Sequence, residues 1–384
     1  MKSFLQFLQR AYKYFRGTKR VWRKPPQCDL LIIDRGTASP LDEMFAHHNP
    51  HIMDIRGESI NMLALLRAVP NIRLGAVAYL EAYIDFVKPK LILSRTDNNH
   101  TLWQLKRRPH VTYKVALIQN GWRTRHKLSI PFGIDSLFTN SLSRANKYFV
   151  IGSNASSLMS GMVDTEFEKV GSINLNIFDI GKKSSETTQS RNERTEVALV
   201  STFRPRGTEM NEAQRGVYRS LDNFLAERTL KLLIIGNGAG TLEQNLEKKF
   251  FTEIFLKAKF EIGFFRRENN SYLHLNSNKW IVTGDSTLGY EALVTGVPVG
   301  FVLPTDKVFD EQSYFASTES IPSGAFWTRS DDPVEHERIF TYIDTVSDEQ
   351  WEIDSGRIRD QLIVHDYGNT KIRAYVEGVL TDSL

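Results

Sequence analysis

Cysteine is almost absent: Cys28 is the single one among 384 residues. That excludes an internal disulfide framework and any Cys-rich zinc site, and it suits a cytoplasmic chain. Long apolar runs are missing too. No stretch approaches the roughly 18 residues a membrane-spanning helix needs, and the first apolar residues are interrupted by Gln, Arg and Lys, unlike a secretory leader. Acidic residues are missing from residues 1–26, which carry Lys2, Arg10, Lys13, Arg16, Lys19, Arg20, Arg23 and Lys24. Phe4, Leu5, Phe7, Leu8, Ala11, Tyr12 and Phe15 recur there at helical spacing. Such a basic amphipathic segment lies on an anionic membrane surface or packs on its own protein. The rest of the chain has no basic stripe, so no nucleic-acid partner is expected.

What is present describes a folded protein of two domains with ample core. Hydrophobic residues make up 41% and charged residues 24%, as in ordinary globular chains. Short apolar runs alternate with helical patterns. Strands are expected at 29–34, 51–55, 90–94, 113–119 and 147–151, with a further one at 134–138. Helices are expected at 62–67, 74–87 and 100–107. Residues 182–196 are polar, without apolar periodicity, and read as a linker. A second α/β series follows: strands at 197–200, 231–235, 260–264, 280–282 and 299–303, and helices at 218–228 and 242–255. After Pro333 the pattern is helical, at 337–346 and 358–380. The layout expected is therefore a basic N-terminal segment (1–26), a Rossmann-like domain (27–181), a linker (182–196), a second Rossmann-like domain (197–334) and C-terminal helices (335–384).

The most informative stretch is KWIVTGDSTLGYEALVTGVPVGFVLP, Lys279 to Pro304. It reads as strand, polar turn, helix, glycine stop and strand. Gly284, Asp285, Ser286 and Thr287 stand where a helix offers free N–H groups and the positive end of its dipole, a place that suits phosphate. Glu291 follows five residues after Ser286, within reach of a sugar hydroxyl. Ser and Thr before a helix also serve simply as caps.

This segment resembles the nucleotide-binding part of GT-B glycosyltransferases. The paired hydroxyls followed by Gly-Tyr-Glu-Ala-Leu are similar to the bacterial capsule and O-antigen transferases that use CMP-Kdo, and CDP-glycerol polymerases carry a comparable turn. The resemblance implies that Ser286 and Thr287 hold the donor phosphate and Glu291 the ribose. Arg204, after a strand in the same half, is the candidate cation for the leaving phosphate, with Arg206 and Arg123 in reserve. In the first half Asp97, after a strand end, is the candidate base or nucleophile. Gln119-Asn120-Gly121-Trp122-Arg123 resembles a Glu-Asp-Gly-Phe-x-Arg-Ser segment whose aspartate is the nucleophile in the Kdo transferases. Amides stand at both acidic positions here, so that retaining route is not expected of these residues, though Gln119 and Asn120 remain candidates to hydrogen-bond a sugar. A family of surface-carbohydrate biosynthesis proteins with an Asp-Asn loop and a Gln-Asn-Gly turn is the closer match.

The resemblance implies a GT-B-like α/β fold and transfer of a sugar, Kdo or a related ulosonic acid favoured, from a nucleotide-sugar donor to a growing glycan or lipid-linked acceptor. NDP-hexose transfer, CDP-glycerol-type transfer and a non-catalytic scaffold are the alternatives. No cofactor besides the donor is expected. His100, His126 and His274 are weaker catalytic candidates. His47, His48 and His51 lie close in sequence, but no Cys or acidic pattern accompanies them, and no metal is expected. Gly236-Asn237-Gly238 lacks the third glycine of a dinucleotide loop and reads as a strand-exit turn.

Overall fold

Runs of four or five apolar residues, each released by Asp, Ser, Gln or Gly, build the centre of the protein. The structure, a computed structural model, describes residues 17–106, 111–122, 143–160, 163–178, 191–265, 271–305 and 323–381. Strands β1 (Lys19–Val21) and β4 (Ser59–Asn61) pair with each other. Strands β2 (Leu30–Ile33), β3 (His51–Met53), β5 (Leu91–Ser94), β6 (Lys114–Ile118), β7 (Ser143–Val150) and β8 (Val163–Lys169) form a parallel sheet in the order 3-2-5-6-7-8. A second parallel sheet comprises β9 (Glu196–Val200), β10 (Lys231–Ile235), β11 (Phe260–Gly263), β12 (Ile281–Thr283), β13 (Val299–Leu303) and β14 (Trp327–Arg329), in the order 11-10-9-12-13-14.

Central parallel strands are covered on both faces, which is why they read as unbroken apolar runs. In β2, Leu31 and Ile33 enter one core and Leu30 and Ile32 the other, the two-residue alternation of a strand. The first core is closed by helix α1 (Ala76–Val87) and Trp103. The second is closed by the C-terminal helix.

The second sheet is flanked by α2 (Thr208–Ala226) and α3 (Thr241–Thr252), and its α4 (Thr287–Ala292) follows β12 directly. Three helices end the chain: α5 (Pro333–Thr345), α6 (Asp348–Leu362) and α7 (Thr370–Thr381). Asp332 caps α5 through Val334 N–H and Ser347 caps α6 through Gln350 N–H, each such cap being worth about 1 kcal/mol. Helix α5 packs on the second sheet through Ile339, Phe340 and Ile343. Helix α7 instead returns to the first sheet, burying Ile372, Val376, Val379 and Leu380 against Leu30, Ile32, Leu91 and Leu93, at about 1.5–3 kcal/mol for each fully buried side chain. The crossing strand of chain needs close approach. A Cβ on Gly171 (φ +76) would meet the Val364 carbonyl oxygen at 2.0 Å, and one on Gly152 the Leu362 carbonyl oxygen at 2.3 Å.

Several expectations change. The expected strand at 134–138, residues 1–16 and most of the 182–196 segment lie outside the described residues; Lys19–Val21 is a strand, and β9 already begins at Glu196. The helix expected at 100–107 stops at Trp103, and that expected at 358–380 is two helices broken around Gly368 (φ +72). Strands β8 and β14 carried no apolar run to announce them. Both are edge strands, and in β8 only Val163 is buried, with exposed Asp164 and Glu166 alternating with half-buried Thr165 and Phe167.

Candidate functional site

In an open parallel sheet, the chain winds to one side and then to the other, and the crevice at the reversal, beyond the carboxyl ends of two adjacent strands, receives ligands. In the second sheet the reversal falls between β9 and β12. The β9 exit is Ser201-Thr202-Phe203-Arg204 and the β12 exit is Gly284-Asp285-Ser286-Thr287. Two groups singled out from sequence, Arg204 and the Ser286-Thr287 turn, therefore flank one crevice. Arg204 is exposed, and its backbone is clamped by Asn211, which accepts from its N–H (3.0 Å) and donates to its carbonyl (2.7 Å). Ser286 occupies the N-cap of α4 in extended conformation, and its side chain makes no capping bond. Asp285 is buried and accepts from the Tyr290 hydroxyl at 2.9 Å, so it braces the turn from below. Gly284 lies under Gln214: an added Cβ would stand 2.9 Å from its Nε2. Gly289 lets α4 lie on β12, where a Cβ would meet Thr283 Cγ2 at 2.3 Å.

The first sheet reverses between β2 and β5. Its exits carry Asp34, then Arg95, Thr96 and Asp97. Asp34 is fully buried, has φ +84, and accepts from Arg56, Thr96 and the Gly36 N–H. Burial pushes its carboxyl up, but the hydrogen bonds from Arg56 and Thr96 outweigh that and hold it below the usual value. Asp97 is 1% exposed; one carboxylate oxygen accepts from the Tyr148 hydroxyl (2.8 Å) and the other from the Asn120 N–H (3.2 Å). It thus ties the exits of β5 and β6 together.

The Gln119–Trp122 turn after β6 explains its own amides. Gln119 donates to the Gly121 carbonyl (2.9 Å) and accepts from the Ile151 N–H (2.8 Å). An ionised glutamate has no proton to donate to Gly121. The buried Gln119 is therefore a brace whose amide ends both face the protein, which departs from the sugar-contacting role expected for it. Asn120 is exposed, and its Oδ1 accepts from Arg95 Nη2 at 3.1 Å.

The two halves meet at these exits. The Trp122 backbone N–H donates to Thr287 Oγ1 (3.0 Å), and the Trp122 ring stacks on Tyr290 at 4.6 Å between centroids. The Thr287 hydroxyl still has its own proton to donate. Beside this contact lies Glu291, 5% exposed, accepting from the Tyr272 hydroxyl at 3.1 Å and from Ser172. Burial pushes the Glu291 carboxyl up to about 7, against the pull of those hydroxyls and of the Arg95 charge. Arg95 is itself 6% exposed. It donates to the Ser39 carbonyl as well as to Asn120, and its Nε is buried without a hydrogen-bond partner among the described residues. Burial lowers its pKa. Arg95 was not singled out in the sequence, where it is one more loop arginine; its burial at a strand exit is what distinguishes it.

The remaining candidates fall elsewhere. Arg123 and His126 lie outside the described residues, as does the side chain of His100. Arg206 is exposed on the β9 exit loop. His274 stacks on Phe265 at 3.9 Å. The N–H groups of Asn237 and Gly238 donate to the buried Glu247 carboxylate, so that loop offers them to the protein rather than to a phosphate.

Two parallel sheets with their strand exits in contact, and a last helix returned to the first sheet, define the GT-B class of fold. Solved structures agree. The chain is similar to MnaA of S. aureus, solved with UDP (14% identity, 94% of this chain and 97% of that one, TM-score 0.51). It is also similar to the UDP-GlcNAc 2-epimerase of Methanocaldococcus jannaschii (12% identity, 91% and 99%, TM-score 0.50). At these identities the likeness is one of fold alone. No curated protein sequence matches the chain. Residues 116–379, well over half of it, match a family model described as "putative O-antigen biosynthesis protein", and the chain belongs to that family.

Proposed function

We propose that the protein is a glycosyltransferase of surface-polysaccharide assembly that takes its donor, a nucleotide-activated sugar, at the β9–β12 crevice and its acceptor at the exits of β5 and β6. One observation carries this reading: Arg204 and the Ser286-Thr287 turn, picked for a phosphate by residue type, flank the reversal point of the second sheet. In this reading the Ser286 and Thr287 hydroxyls and Arg204 hold the anionic part of the donor and offset the charge that grows as it leaves. Glu291 holds the ribose. A carboxyl near neutral pKa accepts from or donates to a hydroxyl with equal ease. Arg95, with one N–H unspent beside Asn120, steadies an oxygen of the transferred sugar. No carboxylate stands at 119 or 120; in this reading transfer proceeds by direct displacement, with Asp97 taking the acceptor proton as it gives up one of its present hydrogen-bond donors.

The paired-hydroxyl turn favours a CMP-linked ulosonic acid as donor; the names of the two similar structures carry UDP, and a UDP-linked sugar is the alternative the same crevice accommodates. The basic segment 1–26 supports contact with the anionic membrane that carries a lipid-linked acceptor. Among the described residues no helix is long and apolar enough to cross a membrane.

The test is donor turnover. Incubated with CMP-Kdo and UDP-sugars, the protein releases free nucleotide slowly from one donor class and faster when acceptor glycan is added. Asp97→Asn lowers that rate at least about 100-fold and leaves nucleotide affinity unchanged. Full turnover in Asp97→Asn removes the proton-accepting role, and no release from any donor leaves the scaffold reading.

A further inference from the structure

The sequence places His47, His48 and His51 near one another without an acid. The fold separates them and supplies the acid. His51 starts β3 and its Nε2 is engaged by the Tyr83 hydroxyl at 2.8 Å. His47 and His48 end a tight turn (Ala46–His48) whose Phe45 is fully buried and whose next residue, Asn49, is left-handed at φ +47. There they face Glu377 on α7, more than 300 residues away in the chain. His47 Nε2 lies 3.0 Å and His48 Nε2 2.9 Å from the same Glu377 oxygen, and the three ligand atoms lie within 4.8 Å of one another. Arg373, one turn earlier on α7, donates to the Met44 carbonyl at 3.1 Å and fixes the helix beside the turn.

We infer that His47, His48 and Glu377 form a binding site for a divalent transition ion of the zinc class, which staples the C-terminal helix to the first sheet. Two imidazole nitrogens and one carboxylate oxygen are a donor set for such an ion, whereas calcium and magnesium take oxygen ligands. Ligand bonds of about 2.0–2.1 Å in tetrahedral geometry set neighbouring donor atoms roughly 3.3 Å apart. The two His–Glu377 spacings fall a few tenths short of that, within what partly exposed side chains open on binding. As the ion enters, each neutral imidazole moves its proton to Nδ1, turns the bare Nε2 to the metal, and gives up its hydrogen bond to Glu377. Water completes the fourth position. The turn precedes β3, so the site stands at the amino edge of the first sheet, opposite the strand exits. The ion has no part in sugar transfer and strengthens instead the hold of α7 on the sheet.

Full-length protein stripped with a chelator is titrated with zinc chloride by calorimetry and melted with and without the ion; cobalt chloride serves as a visible-absorbance probe of coordination. The expected result is one ion per chain, a raised Tm, and a cobalt spectrum of histidine ligation. The double variant His47→Ala, His48→Ala, which melts like the metal-free wild type, loses at least tenfold in affinity along with the Tm rise, and Glu377→Gln weakens both. Failure of the wild-type protein to take up zinc at millimolar concentration overturns the inference. So does uptake that the double variant retains undiminished. Nucleotide binding is read separately and is unchanged by the chelator, so this result and that of donor turnover stand or fall independently.

Discussion

Asp34, at a strand exit of the first half, and Glu291, on α4 of the second, are two buried carboxyls whose surroundings push them in opposite directions. Asp34 is surrounded by committed donors: the Arg56 guanidinium, the Thr96 hydroxyl and the Gly36 N–H. Glu291 meets two hydroxyls, with the Arg95 charge near but not hydrogen-bonded to it. The first carboxyl stays charged and closes the reversal point of its sheet with protein groups. The second is pushed to about 7 and keeps bonding capacity for something else. A carboxyl whose charge is fully compensated holds structure; one whose charge is penalised by burial is a candidate for a ligand. The proposed donor crevice lies in the second half, beside the second of these carboxyls.

The largest effect expected from breaking this comparison is at Asp34. Asp34→Ala removes a fully buried carboxylate that serves three donors, the half-exposed Arg56, the half-buried Thr96 and the exposed Gly36, and costs about 2–4 kcal/mol of stability, measured by urea unfolding at pH 7. The contribution is complete above the unfolded carboxyl pKa of about 3.9 and is lost as pH falls through the lower folded value. Arg56 is half exposed, so the ion pair is screened by solvent and the loss comes mainly from the hydrogen bonds that Thr96 and Gly36 make to the buried carboxylate.

Glu291 has the opposite sign. Its folded value, raised to about 7, means that between about pH 4.5 and 7 the folded chain holds a proton the unfolded chain has shed, so stability falls as pH rises through that window. Glu291→Gln removes this slope. The variant is expected to match wild type near pH 5 and to exceed it by roughly 1–3 kcal/mol at pH 8, read from paired melts across pH. A slope that persists in the variant would place the titrating group elsewhere.

The same contrast shows how much of the molecule was legible from residues alone. The central strands announced themselves because both their faces are buried, and the Lys279–Pro304 unit emerged as strand, turn, helix and strand, with Gly296 ending the helical stretch at φ +78. Strands β8 and β14 did not, because β8 is interrupted by Asp164, Glu166 and Glu168 and β14 is only Trp-Thr-Arg, whereas the edge strands β3 and β11 were legible. Ser286, Thr287 and Glu291 were visible because a βαβ unit writes its turn chemistry locally. Arg95, Ser172 and Tyr272 were not, since what marks them is proximity across the two halves. In the sequence Gln119 stands where the resembling segment has an acid, and only its two partners, Gly121 and Ile151, show that the amide is required there. His47 and His48 lacked their acid for the same reason: Glu377 reaches them through the return of the last helix.

The central claim is that the hydroxyl-bearing bend at the start of α4 grips the anionic part of an activated sugar. The direct measurement is a thermal-shift screen of wild type and the Ser286→Ala, Thr287→Ala double variant against CMP, CDP, UDP, GDP and dTDP, since a ligand of the folded state alone raises Tm. One nucleotide class raises the wild-type Tm, and the double variant, measured against its own ligand-free Tm because it also loses the Trp122–Thr287 contact, needs at least about ten times more nucleotide for the same rise. An equal response from both proteins would contradict that claim.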